Sequence, residues 1–302
     1  MHTIFVTKRL FPESVALLRG AFLIGQPRLA EGVLTQLTDQ VDSGFLDRFP
    51  RLKVVSQCAV GVDNIDRRQT ARRGITVMNT PGVLPEATAD MTWALILAVA
   101  RRVAEADALC RSGVFSGWDL HFMLGLEVSG RTLGIIGPGR IGTAVAARAA
   151  GFGMRVLCHG GRQKGSTVAG MTPVTLARLL KESDIVSVHV PATARTHHLI
   201  GAAQLARMKP SAILINTSRG TAIDETALIA ALRSGVIWGA GLDVFEREPR
   251  IPPGLRRNRR VVLTPHIASA TRLTRGAMAM TAARNLIDFF DGRPDAGRVV
   301  RT

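Results

Sequence analysis

Leu133-Gly134-Ile135-Ile136-Gly137-Pro138-Gly139-Arg140-Ile141-Gly142 is the stretch on which the fold turns. Residues 133–137 form a continuous apolar run, the pattern of a strand covered on both faces. Glycines at 137, 139 and 142 then lead into a small-residue helical stretch at 143–150. Gly137 permits a tight turn, Gly139 lets backbone approach a pyrophosphate, and Gly142 lets helix and strand pack closely, while the helix N-terminus attracts an anion. A fingerprint that follows a strand and opens a helix predicts dinucleotide binding rather than a chance run of glycines, with Pro138, Arg140 and Ile141 completing the cradle.

Downstream, further apolar runs at 155–159, 185–190, 212–216, 238–243 and 261–264 read as strands. Between them lie a helix opened by Thr172-Pro173 as cap and first residue, running to 180, and an amphipathic helix at 224–233 ending at Gly235. Strands alternating with helices predict a doubly wound parallel sheet. Upstream, weaker strands at 4–7, 33–38, 53–57 and 76–79 repeat the pattern. Long helical stretches at 86–112 and 271–291 are expected to link the halves. The fold class expected is therefore α/β, two doubly wound parallel-sheet domains. Residues 1–100 with the C-terminal helical stretch 272–302 form a smaller substrate domain, and residues 101–271 an inserted dinucleotide-binding domain.

Composition narrows the function. At 302 residues with 46% apolar content the chain can build two cores. The longest apolar run, residues 91–100, is too short for a membrane span, and the first residues lack a secretory apolar stretch. Cys58, Cys110 and Cys158 have neither metal-ligand nor disulfide-framework spacing, so a reduced, cytoplasmic protein is expected. The adjacent pair His197-His198 does not place two ligands on one helix face, and no metal is expected. A net charge of +16 suits an anionic substrate and cofactor. The basic residues are dispersed without interleaved aromatics, so neither nucleic acid nor membrane is expected as a partner. With no tyrosine in the chain, a tyrosine hydroxyl cannot be the catalytic acid.

Cofactor choice is decided about 20 residues beyond the fingerprint, where an acid would hold a ribose 2′-hydroxyl. Here the sequence is His159-Gly160-Gly161-Arg162-Gln163-Lys164. No acid is present, and Arg162, with Lys164, suits a 2′-phosphate. NADP is therefore expected over NAD, with Gly161, Arg162 and Gln163 at the cofactor.

Three later motifs carry the chemistry: Asn216-Thr217-Ser218-Arg219-Gly220, Asp243-Val244-Phe245-Glu246-Arg247-Glu248-Pro249 and Thr264-Pro265-His266. Reduction of a 2-oxo acid needs a cation for the carboxylate, a proton donor for the carbonyl oxygen, and a partner that keeps the donor protonated. Arg219 has the planar fork for a carboxylate. His266 supplies an imidazole, the side-chain type that can both give and take a proton. Glu248 can hold the imidazole in one tautomer and favour its charged form. Taken singly, each is as readily structural; in this order after a fingerprint they read as a site.

These residues resemble the D-isomer-specific 2-hydroxyacid dehydrogenase family, and within it the chain is similar to the glyoxylate/hydroxypyruvate reductases. The resemblance covers nearly the whole chain and includes Ala59-Val60-Gly61-Val62-Asp63-Asn64-Ile65-Asp66, Asn79-Thr80-Pro81-Gly82-Val83-Leu84, Ala87-Thr88-Ala89-Asp90 and Gly117-Trp118. It implies a Rossmann cofactor domain inserted into a flavodoxin-like one. It implies that Arg219 binds the substrate carboxylate and carbonyl, that His266 is the general acid with Glu248 as partner, and that amides at Val60 and Gly61 hold the carboxylate. It places Thr88, Val190, Pro191, Thr217, Ser218, Asp243 and Ala268 along the cofactor, Asp243 at the nicotinamide carboxamide. It also implies a homodimer with an arm around Trp118, a residue that packing in a core would explain equally well.

The chain departs from the family where Gly160 replaces the strand-end acid, as in NADP-preferring members. It also departs between residues 11 and 33, where a shortened stretch predicts loss of part of a helix–strand unit. The reaction expected is NADPH-dependent reduction of glyoxylate or hydroxypyruvate to the D-2-hydroxy acid. Alternatives are another 2-oxo acid such as a 2-ketogluconate, phosphite (disfavoured because Val60 stands where a lysine would be expected), or a non-enzymatic, corepressor-like dinucleotide sensor.

Overall fold

The computed structural model describes residues 1–160 and 170–300, in two compact units: residues 1–84 with 270–300, and residues 85–269. Both are parallel α/β sheets. The first contains β1 (Thr3–Val6), β2 (Leu23–Ile24), β3 (Gly32–Thr35), β4 (Val54–Gln57) and β5 (Thr76–Met78), in the order β2-β1-β3-β4-β5. The second contains β6 (Thr132–Ile136), β7 (Arg155–His159), β8 (Met171–Pro173), β9 (Ile185–Val188), β10 (Ile213–Asn216), β11 (Gly239–Leu242) and β12 (Val261–Leu263), in the order β12-β11-β10-β9-β6-β7-β8. The chain winds one way from β6 to β8 and the other way from β9 to β12, so a topological switch point lies between β6 and β9.

The lack of polar alternation in β6 and β9–β11 follows from their burial on both faces. Ile136, Val186, Val188, Leu214 and Leu242 enter one core, and Leu133, Ile135, Ile185, Ile213 and Ile215 the other. Each such side chain contributes about 1.5–3 kcal/mol on burial. The helix Pro85–Ala100 belongs to the second core through Trp93, Leu95, Ile96 and Val99. The passage between units therefore falls after residue 84 rather than after residue 100.

The expected 86–112 helix is broken. Helices Pro85–Ala100 and Val103–Arg111 flank Arg102, which sits at φ 54°. The Leu126 amide takes the Ala100 carbonyl at 2.7 Å, while the Arg102 guanidinium pairs with Glu105. Residues far along the chain thus end the helix. Thr172-Pro173 lies in edge strand β8, and the helix Leu176–Glu182 is instead capped by Thr175, whose side chain accepts from the Arg178 amide.

In the first unit the shortened 11–33 stretch still supplies the helix Pro12–Ala21 and a two-residue β2, so the five-stranded sheet is complete. The C-terminal helix Arg272–Phe290 lays a small-residue stripe of Ala279, Ala282 and Ala283 inward. That close approach lets the buried Ser56 hydroxyl donate to the Ala282 carbonyl at 2.8 Å. No helix among the described residues is long and apolar enough to cross a membrane.

Candidate active site

The fingerprint lies where the sheet order reverses. Gly137 leaves β6 at φ +90°, and a Cβ on it would stand 2.5 Å from the His189 carbonyl oxygen, just past β9. A Cβ on Gly142 would stand 2.5 Å from the Gly137 carbonyl oxygen, so helix and turn touch backbone to backbone. Gly139 differs: its Cβ would meet nothing within 4 Å. It caps the helix Arg140–Ala149 with no side-chain acceptor, so the first-turn amides of Arg140 and Ile141 lie under open space left by the missing side chain. That opening fits a pyrophosphate. Val190 and Pro191 follow β9 across the switch point, and Val190 Cγ1 is 3.0 Å from the position of a Gly137 Cβ. The expected contacts Gly161, Arg162 and Gln163, with Lys164, lie outside the described residues.

Beside the fingerprint, the Thr92 hydroxyl donates to the Thr88 carbonyl at 2.8 Å and lies 2.9 Å from the Thr217 hydroxyl. Thr88 and Thr217 are thereby joined in one buried polar cluster on the helix Pro85–Ala100 and the end of β10.

Arg219 follows β10. Asn216 organises this turn: its side-chain oxygen accepts from the Ser218 amide and hydroxyl, and its side-chain NH2 donates to the Arg219 carbonyl at 2.9 Å. Gly220 then packs on the Phe245–Glu246 peptide so closely that a Cβ would lie 1.9 Å from the Phe245 carbonyl carbon. The Arg219 guanidinium donates to the Ser218 carbonyl and holds its charge near Glu248.

Glu248 and His266 come together. Glu248 Oε2 lies 2.8 Å from His266 Nδ1, and Oε1 accepts from the Phe245 amide at 3.0 Å. Burial raises the Glu248 carboxyl. The hydrogen bond and charge of His266, the Phe245 amide and the Arg219 charge outweigh burial and hold it below the usual glutamate range. An ionised Glu248 fixes the imidazole with Nε2 pointing away from the pair, the arrangement of a general acid.

Asp243, fully buried, anchors the loop that carries His266. It accepts from the Thr264 hydroxyl at 2.6 Å and from the amides of Ile267 and Ala268, each at 2.8 Å. Its own carbonyl accepts from the His266 amide. Asp243 thus supports His266 from beneath, an arrangement that strand-end position alone does not reveal. Asn216 and Gly220 were likewise missed as organisers, although both lie inside the motif that contains Arg219. His189 also stands at a strand end, but burial pushes its pKa down to about 3, favouring the neutral ring, and its Nε2 lies 2.8 Å from the Ser187 hydroxyl.

Val60 and Gly61 lie in the first unit, after β4. The Asn79 side chain donates to the Val60 carbonyl at 2.8 Å, and the Thr80 amide to the Ala59 carbonyl at 3.0 Å, shaping this loop. Trp118 is not in a core: it is 82% exposed, in a stretch that also exposes Val114, Phe115, Leu120 and Leu124.

Residues 93–268 match the family model described as D-isomer specific 2-hydroxyacid dehydrogenase, NAD binding domain. The chain is 50% identical to a glyoxylate reductase of Thermococcus litoralis over 276 residues, covering 89% of this chain and 83% of that protein. Among solved structures it is similar to an NADPH-dependent glyoxylate/hydroxypyruvate reductase from Sinorhizobium meliloti in complex with NADP and malonate, at TM-score 0.88 and 34% identity, covering 100% and 99% of the two chains. It is similar as well to a D-lactate dehydrogenase from Aquifex aeolicus complexed with NAD and lactic acid, at TM-score 0.88 and 30% identity, covering 99% of each.

Proposed function

The chain belongs to the D-isomer-specific 2-hydroxyacid dehydrogenase family of NAD(P)-dependent oxidoreductases, and from that premise we propose that it reduces glyoxylate to glycolate and hydroxypyruvate to the D-2-hydroxy acid glycerate with NADPH. A bound nicotinamide dinucleotide supplies the hydride. Arg219 binds the substrate carboxylate with its planar fork and polarises the carbonyl. His266, charged and oriented by Glu248, donates its Nε2 proton to the carbonyl oxygen as the alkoxide develops. For the first unit, the family resemblance implies that amides at Val60 and Gly61 bind the substrate carboxylate.

The observation that carries this reading is the 2.8 Å pair of Glu248 and His266, with the Arg219 charge beside it, on the same sheet edge as the glycine fingerprint. The cradle would be formed by residues 137–142. Thr88, Val190, Pro191, Thr217, Ser218, Asp243 and Ala268 would lie along the rest of the cofactor. The NADP preference rests on Arg162 and on the missing acid after β7.

The protein is proposed to be a homodimer joined through the segment around Trp118. The support is the run of exposed large apolar side chains there, which solvent does not favour. A cytoplasmic location is supported by the three free thiols. The deciding experiment is steady-state oxidation of NADPH and NADH with glyoxylate, hydroxypyruvate, pyruvate and 2-ketogluconate in parallel, with sedimentation for the dimer. Turnover of glyoxylate or hydroxypyruvate with NADPH favoured is expected. Preference for 2-ketogluconate would move the substrate, and cofactor binding without any turnover would move the protein to the sensor class.

A further inference from the structure

Glu225 and Glu246 make a reciprocal pair. The Glu225 amide, first in the helix Glu225–Arg233, donates to Glu246 Oε1 at 2.9 Å, and the Glu246 amide donates to Glu225 Oε1 at 3.0 Å. A first-turn amide has no intrahelical acceptor, and a helix N-terminus favours a carboxylate, so Glu246 meets both needs. Glu246 Oε1 also lies 3.1 Å from His198 Nε2. His198 is itself tied down, its amide donating to the Thr221 carbonyl at 2.8 Å.

Two carboxylates side by side are a costly way to join a loop to a helix. Burial pushes the Glu225 carboxyl up, and the charges of Glu246 and Glu248 add to that, against the Glu246 amide and Arg247. What the arrangement fixes lies on either side of it. Glu225 follows Arg219 through the turn Gly220–Ala222, and Glu246 stands two residues before Glu248. Between them Gly220 rests on the Phe245–Glu246 peptide, and the Phe245 amide donates to Glu248. The segment carrying the cation and the segment carrying the acid's partner therefore meet in one backbone contact, and the glutamate pair closes it.

We propose that Glu225 and Glu246 are positioning residues whose reciprocal clasp fixes the Arg219 segment against the Glu248 segment and so sets the Glu248–His266 pair. The inference rests on the function proposed above. A misplacement of about 1 Å can cost on the order of a hundredfold in rate, so a clasp that touches no reacting atom still carries weight.

The test compares Glu225→Ala, Glu246→Ala and Glu225→Gln, which keeps an acceptor oxygen. One readout is kcat and KM for the oxo acid at saturating NADPH. The other is an NMR titration of the His266 imidazole without substrate, its resonance identified by its loss in His266→Gln. Both alanine variants should lower kcat/KM about tenfold or more, mainly in kcat. They should leave the dissociation constant for NADPH within about twofold, since the glycine cradle is a separate site. The His266 titration should move toward its position in Glu248→Gln, and Glu225→Gln should restore both readouts. Folded alanine variants with kcat/KM and the His266 titration unmoved, even with a lower Tm, would reduce the clasp to a helix anchor. Should an alanine variant not fold, Glu225→Asp, which withdraws the carboxylate by one methylene, is read by the same criteria. If the native protein reduces no 2-oxo acid, the proposed function fails, while the titration still decides the clasp.

Discussion

His266 and Glu248 are 18 positions apart in the chain, yet their side chains meet at 2.8 Å because the loops after β11 and β12 are held together by Asp243. The carboxylate of Asp243 gathers Thr264, Ile267 and Ala268, and His266 is carried on that loop at φ 54°. The position of His266 is thus built on a buried anchor rather than on the histidine's own segment alone.

The first prediction concerns pH. The Glu248 carboxyl is held below its usual range, so the group stays ionised under acid conditions that protonate an ordinary glutamate, near pH 4.3. The sign follows: a lowered folded-state pKa adds stability that is present above the unfolded value and is lost as pH falls through the lower folded one. Reduction should weaken as pH rises past the His266 titration, because the acid must carry a proton. Glu248→Gln should shift that limb to lower pH and slow reduction at neutral pH by about tenfold or more. Profiles of kcat/KM that are flat in both proteins, with chemistry rate-limiting, would remove His266 from its role.

Arg219 should separate substrate handling from cofactor handling. Arg219→Lys keeps the charge but loses the two-pronged geometry, and should lower kcat/KM for the oxo acid by about a hundredfold. Binding of NADPH, followed by its fluorescence, should persist. A parallel loss of cofactor affinity would mean that Arg219 acts on the dinucleotide instead.

Two glycines of the fingerprint should respond in opposite ways. Gly142→Ala drives a Cβ to 2.5 Å from the Gly137 carbonyl oxygen and should destabilise the fold by about 1–3 kcal/mol, visible as a lower Tm. Gly139→Ala meets no protein atom, so Tm should change little, while the methyl occupies the opening over the helix N-terminus and weakens cofactor binding. Unchanged cofactor affinity in folded Gly139→Ala would place the pyrophosphate elsewhere.

Cofactor choice should depend on Arg162. Arg162→Ala is expected to raise KM for NADPH about tenfold or more through loss of a charge-assisted phosphate contact, with KM for NADH nearly unchanged. Equal effects on both cofactors would end the argument for 2′-phosphate pairing.

The sequence by itself determined the elements and the residue types. Short unbroken apolar runs bounded by turn residues read as strands covered on both faces, and the fingerprint between strand and helix marked the dinucleotide cradle, whereas the switch point emerged only from the strand order. Arg219, Glu248 and His266 were legible because each follows a strand, and parallel strands bring their ends to one edge. Tertiary structure decided what local pattern could not. The helix expected over 86–112 ends at Ala100 because Leu126, from further along the chain, takes its carbonyl. The cap expected at Thr172 moves to Thr175 because β7 recruits Met171–Pro173 as an edge strand. Asp243 supports the histidine loop, and Glu225 grips Glu246, through hydrogen bonds between segments about 20 residues apart. Periodicity and propensity act over a few residues, whereas these contacts exist only once the sheet has brought distant loops to the same edge.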